Sequence, residues 1–231
     1  MKVALRVLFV AGLVFTLGFA LLGCGDTAAE SSQEEIQQES SGDTETSATE
    51  APQANISDVD PADLWEGDMP KVKIEIADFG DVIVELNREV APITVDNFLK
   101  LVNDGFYDGL GFHRIISGFM IQGGDPQGTG MGGADEQIKG EFASNGVPNP
   151  IRHERGVISM ARSQAPDSAS SQFFIVHQDA FFLDGDYAGF GRVVEGMDVV
   201  DRIAEDTPVI DGNGSVEQAN HPIMTSVTVV D

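Results

Sequence analysis

FHRIISGFMIQGGD, residues 112–125, is the stretch on which the reading of the fold turns. It is mostly apolar and β-prone, yet it carries an arginine near its start and a glutamine near its end. In a strand, alternate side chains face one side. Phe112, Arg114 and Ile116 then share one face, and Met120 and Gln122 share another. Gly118 lets the chain turn between the two runs, so an antiparallel pair brings Arg114 beside Met120 and Gln122. A guanidinium is rarely placed among apolar side chains without a partner or a task.

Outward from this stretch the pattern stays globular and mainly β. KVKIEI (71–76) alternates polar and apolar residues, and DVIVEL (81–86) follows a Phe79-Gly80 turn signal, as in a hairpin. Further strand-like runs lie at 157–161, 172–176, 190–194 and 222–230. Residues 91–106 read as a helix: Pro92 suits its first turn, Val95, Phe98, Leu99 and Val102 share a face, and Gly105 suits its end. Residues 197–206 form a second amphipathic pattern. Many short strands, glycine-rich connections and two helices predict a closed antiparallel barrel with helices at its ends.

The first 70 residues differ. Lys2 and Arg6 precede an apolar run over 7–22, about the length of a signal-peptide core and short for a membrane span. The run ends in LLGCG (21–25), which resembles the lipobox of bacterial lipoproteins. The resemblance implies cleavage after residue 23, a diacylated Cys24 and an extracytoplasmic protein held to a bacterial membrane. Residues 24–70 then read as a disordered tether, because residues 25–70 hold 13 acids, no Lys or Arg and few large apolar groups. As a coil it would reach roughly 35–40 Å. Leu64 and Trp65 are the side chains in it able to pack onto the domain, which is expected to span 71–231. The formal charge of −25 argues against nucleic acid as a partner. A single cysteine rules out an internal disulfide.

Several chemistries lack support. GTGMGG (128–133) fits a dinucleotide-loop spacing, but no apolar helix follows it, so it reads as a mobile surface loop. His113, His153, His177 and His221 show no metal-ligand spacing, so no metal is expected. No G-x-S-x-G elbow supports hydrolysis.

FHRIISGFMIQGGD, GVISMARSQAPDSASSQFFIV (156–176) and FLDGDYAGFGRVVEGMDVV (182–200), taken together and in this order, resemble the cyclophilin family of peptidyl-prolyl cis-trans isomerases over about residues 71–231. The resemblance implies an eight-stranded barrel capped by two helices, with a substrate groove on its outside and no cofactor. It assigns Arg114 and Gln122 as catalytic. It assigns Phe119, Met120, Ala161, Gln172, Phe174, Phe182, Leu183 and Tyr187 to substrate binding. Phe119, Met120, Phe174 and Leu183 would hold the proline ring. Three departures stand out. Phe182 replaces a Trp of many eukaryotic members, which weakens the expectation of cyclosporin binding. Tyr187 replaces a His, and Arg162 replaces an Asn and adds a cation at the rim.

The implied reaction is rotation about an X-Pro amide, whose barrier of about 18–20 kcal/mol reflects lost resonance. As resonance is lost the proline nitrogen regains its lone pair, and a guanidinium donating to it stabilises the twisted state selectively. No proton moves, so the rate is expected to be flat across neutral pH. The expected partners are Pro-containing exported polypeptides, met by a monomeric domain. The alternative is a Pro-peptide-binding scaffold or holdase without turnover, which would not need Arg114.

Overall fold

The computed structural model describes residues 63–230. The Cys24, signal-peptide and residue 24–62 expectations lie outside them. Eight strands form one sheet: β1 Lys71–Ile76, β2 Gly80–Leu86, β3 Arg114–Ile116, β4 Met120–Gly123, β5 Val157–Met160, β6 Phe173–Val176, β7 Gly189–Glu195 and β8 Met224–Val230. Two helices accompany them, α1 Pro92–Asn103 and α2 Met197–Asp206. The sheet order is β3-β4-β6-β5-β7-β2-β1-β8, with every ladder antiparallel. Among the described residues no helix is long and apolar enough to cross a membrane.

The expected closed barrel is corrected here: the sheet is strongly curled but open, a half-barrel whose edge strands β3 and β8 form no ladder with each other. A single isolated bridge, Gly111 to Ile223, links the two edges. The physical reason is that the outer edge of β3 is already occupied. The Ile115 N–H donates to the Gly214 carbonyl at 2.7 Å, and the Val216 N–H donates to the His113 carbonyl at 3.0 Å. Gly214 makes this approach possible: its φ is +79°, and a Cβ there would lie 2.2 Å from the Ile115 carbonyl oxygen.

The concave face holds the main core. Alternation in β1 and β2 buries Val72, Ile74, Ile76, Val82, Val84 and Leu86 there. Phe98 of α1 is fully buried, with ring centroids 5.1 Å from Tyr107, 5.5 Å from Phe173 and 5.3 Å from Phe190. The start of α1 carries no side-chain cap of its own, because Ala91 stands at the N-cap. A distant buried acid, Glu141, replaces it. Its carboxylate accepts from the Ile93 N–H at 3.0 Å, the Thr94 N–H at 2.8 Å and the Thr94 hydroxyl at 2.7 Å.

A second apolar cluster lies on the other face of the sheet and includes Met120, Phe174, Val176 and Leu183. Leu64 belongs to this cluster. A 3-10 turn, Asp63–Trp65, sets Leu64 against the domain, and the Asn87 side-chain amide donates to its carbonyl at 2.6 Å. Trp65 lies under the Arg192 guanidinium at 4.5 Å from the ring centroid, and Arg192 also donates to Glu85 at 2.6 Å. The folded contacts of the chain therefore begin before residue 71.

Candidate active site

The β3–β4 hairpin sets Arg114 opposite Gln122 and Ile116 opposite Met120. Ile115 and Ile121 face the core, so Arg114, Met120 and Gln122 project from the other face. The pairing continues across the sheet, Gln122 to Phe174 and Phe174 to Ser159. One transverse row thus carries a guanidinium, an amide and a phenyl ring side by side. Met120 and Phe174 are nearly inaccessible, whereas Arg114 and Gln122 are half-buried.

These side chains line a groove of about 400 Å3, together with Phe119, Ala161, Leu183 and Tyr187. The groove therefore gathers eight of the ten residues named from sequence. Gln172 lines a neighbouring depression of about 480 Å3, which shares Gln122, Ala161 and Arg162 with the first. Phe182 is 73% exposed, and its ring sits 5.3 Å from that of Phe119.

Arg114 is held at two points. Its Nε donates to the Asn213 carbonyl at 2.9 Å and its Nη1 to Gln122 Oε1 at 3.2 Å. The Gln122 amide donates to Gln172 Oε1 at 2.9 Å, and the Gln172 amide donates to the carbonyls of Gly130 at 3.0 Å and Gly132 at 2.7 Å. The chain of bonds ends at Asp125, a residue not singled out from sequence. Its buried carboxylate accepts from the backbone N–H groups of Gln127 at 2.7 Å, Thr129 at 2.9 Å, Gly130 at 2.6 Å and Gly132 at 3.2 Å. Burial pushes the Asp125 carboxyl up, but the backbone donors together outweigh it and hold it below the usual carboxylate range. The 128–133 loop is therefore a pinned wall of the site, not the loose surface loop expected. The signal that could have revealed this is an acid placed three residues before a glycine-rich run of backbone amides.

Under the groove, His153 is fully buried. One ring nitrogen lies 2.9 Å from Asp184 Oδ1 and the other 3.0 Å from the Ser159 hydroxyl. Burial pushes its pKa down, against the pull of Asp184. The ring stacks on Phe174, and Tyr187 meets Phe174 edge-on. Ser159 has no exposed surface, so this Ser-His-Asp array has no access to a substrate and serves as a brace. His113 lines the groove with both ring nitrogens unpartnered, and its pKa is also lowered by burial. No group of side chains suited to a metal ion occurs among the described residues.

The arrangement offers a rigid donor beside an apolar pocket. A family model, "Cyclophilin type peptidyl-prolyl cis-trans isomerase/CLD", matches residues 71–229. A peptidyl-prolyl cis-trans isomerase of Helicobacter pylori is 45% identical over 128 residues, which cover 54% of this chain and 76% of the relative. Peptidyl-prolyl cis-trans isomerase B of Bacillus subtilis is 48% identical over 123 residues, covering 53% of this chain and 82% of the relative. Among solved structures, a cyclophilin-type isomerase of Cryptosporidium parvum in the presence of the dipeptide Ala-Pro superimposes with a TM-score of 0.62. It is 31% identical and covers 70% of this chain and 99% of that one. The chain belongs to the cyclophilin-type peptidyl-prolyl cis-trans isomerases.

Proposed function

We propose that the groove binds an X-Pro segment with the proline ring against Phe119, Met120, Phe174 and Leu183, and that Arg114 drives the rotation. The observation that carries this reading is the fixing of Arg114 by Gln122 and Asn213 at the edge of an apolar pocket. Both acceptors are neutral, so the guanidinium keeps its charge unpaired by any carboxylate among the described residues. Its Nη2 is left to donate to the proline nitrogen as the amide twists. The apolar walls exclude water that would compete for the lone pair. Gln122 steadies the guanidinium, so little reorganisation is needed when the charge acts.

The test is exchange spectroscopy on a short X-Pro peptide with residues 63–231 and the Arg114→Ala variant. Loss of a charge-assisted hydrogen bond made in the twisted state should cost about 1.5–3 kcal/mol, roughly ten- to a hundredfold in rate. Peptide binding without faster exchange in the folded wild type would favour the scaffold reading.

The finer role rests on residues 1–24. A basic start, an apolar run and LLGCG support lipidation of Cys24 and an isomerase tethered outside the cytoplasm, where exported or cell-envelope proteins would be its substrates. Incorporation of labelled palmitate into the full chain, lost in Cys24→Ser together with membrane association, tests this. Equal labelling of both proteins would overturn it.

A further inference from the structure

The chain carries a formal charge of −25, and residues 71–231 contribute 25 acidic and 11 basic side chains to it. Long-range electrostatics alone would therefore favour cationic peptides. The lining of the groove has the opposite character. Neither the groove nor the adjoining depression is lined by an acidic residue. Their charged lining groups are Arg114 and Arg162, and Arg162 borders both.

Arg162 is built into place. Its guanidinium carbon lies 4.7 Å from the Tyr187 ring centroid and 4.8 Å from that of Phe142. Its Nε and Nη2 donate to the Asp186 carbonyl at 2.9 and 2.8 Å, and its Nη1 donates to the Ser163 carbonyl at 3.0 Å. All these acceptors are backbone carbonyls. Among the described residues no carboxylate forms an ion pair with it. The result is a cation pre-oriented at half-burial, without a counter-charge, at the ridge between the proline pocket and the next depression. Ordering costs for a flexible arginine are already met by the two rings and the carbonyls.

We propose that Arg162 is a specificity-determining residue, and that it selects X-Pro segments with an aspartate or glutamate within two residues of the proline. A peptide leaving the proline pocket across Ala161 passes this guanidinium, and a carboxylate there finds the neutralising partner that the protein does not supply. The inference deepens the isomerase reading of the same groove and rests on it.

The experiment uses residues 63–231 and pentapeptides with Glu, Gln or Lys at each of the two positions on either side of a central proline. Affinity by NMR titration and exchange rate are measured on the same samples. At one or more positions Glu should exceed Gln by about threefold to tenfold, with Lys below both. The preference should shrink as salt is raised and vanish in Arg162→Gln. It should persist in part in Arg162→Lys, and it should be unchanged in Arg88→Gln, which removes a cation outside the groove. Equal handling of Glu and Gln, a preference for Lys, or a Glu preference that survives Arg162→Gln would each overturn the proposal. If Arg162→Gln does not fold, the wild-type preference and its salt dependence decide. A Glu preference in affinity without accelerated exchange would sink the isomerase reading and leave the selectivity of Arg162 standing.

Discussion

Asp125 does not itself line the groove, yet its removal should slow the enzyme. In Asp125→Ala the backbone N–H groups of Gln127, Thr129, Gly130 and Gly132 lose their acceptor together. At about 1 kcal/mol net for each bond, the sum approaches 4 kcal/mol. Thr129 and Gly130 are exposed, so water recovers part of it, and a loss of about 3 kcal/mol is expected in urea unfolding followed by circular dichroism. The second effect is on rate. A loosened 130–132 segment withdraws the two carbonyls that hold Gln172. Gln122 is then fixed on one side only, and Arg114 loses its aim. Small misplacements of a catalytic group are costly, and a drop in kcat/KM of about tenfold, or 1.4 kcal/mol, is expected under conditions where the variant stays folded. Because both residues act through one chain of bonds, Asp125→Ala/Gln172→Ala should lose little more rate than the worse single variant. A variant within 1 kcal/mol of wild-type stability, or fully additive rate losses, would refute the relay.

Other outcomes are accessible by simpler means. Phe98→Ala removes a fully buried ring at the centre of an aromatic cluster and should cost about 3–5 kcal/mol in chemical unfolding. Leu64→Ala, or a chain begun at residue 71, should lose about 2 kcal/mol in the same measurement, since Leu64 seals the second apolar cluster. His113 has a pKa lowered by burial. Above about pH 6.5 neither folded nor unfolded chain protonates it. Below that, the unfolded chain takes up a proton that the folded ring resists, so stability falls with pH by up to about 1.4 kcal/mol per unit. The stability difference between His113→Phe and wild type should therefore move in favour of the variant between pH 7.5 and about 5.5, and a pH-independent difference would contradict the burial argument.

The strands and helices were legible because each answers to a local period. β1 alternates strictly, β2 alternates in burial from Asp81 to Leu86, α1 shows one apolar stripe begun by Pro92, and the hairpin of Arg114 and Gln122 follows from Gly118 and the pleat. The residues missed share a different property, which is partnership over distance. Glu141 caps a helix that starts some 50 positions earlier, and Asn87 reaches back 23 positions to Leu64. Nothing in the sequence around Glu141 indicates its target, although the uncapped Ala91 announces that some acceptor must arrive. The open seam was also beyond reach. Which segment covers the edge of β3 depends on the path of residues 213–216, and glycine and serine there permit many paths.

The docked turn at Asp63–Trp65 also decides how the domain bears tension. A pull on the chain before residue 63 reaches Leu64 and Trp65 first. It passes through Asn87, at the end of β2, and through Arg192 on β7. The force is shared between two strands deep in the sheet order and does not peel β1 from its neighbours. The turn works as a strain relief: tension on the N-terminal side loads the Leu64 and Trp65 contacts first, with the row of Arg114, Gln122 and Phe174 towards the other end of the sheet order still in register.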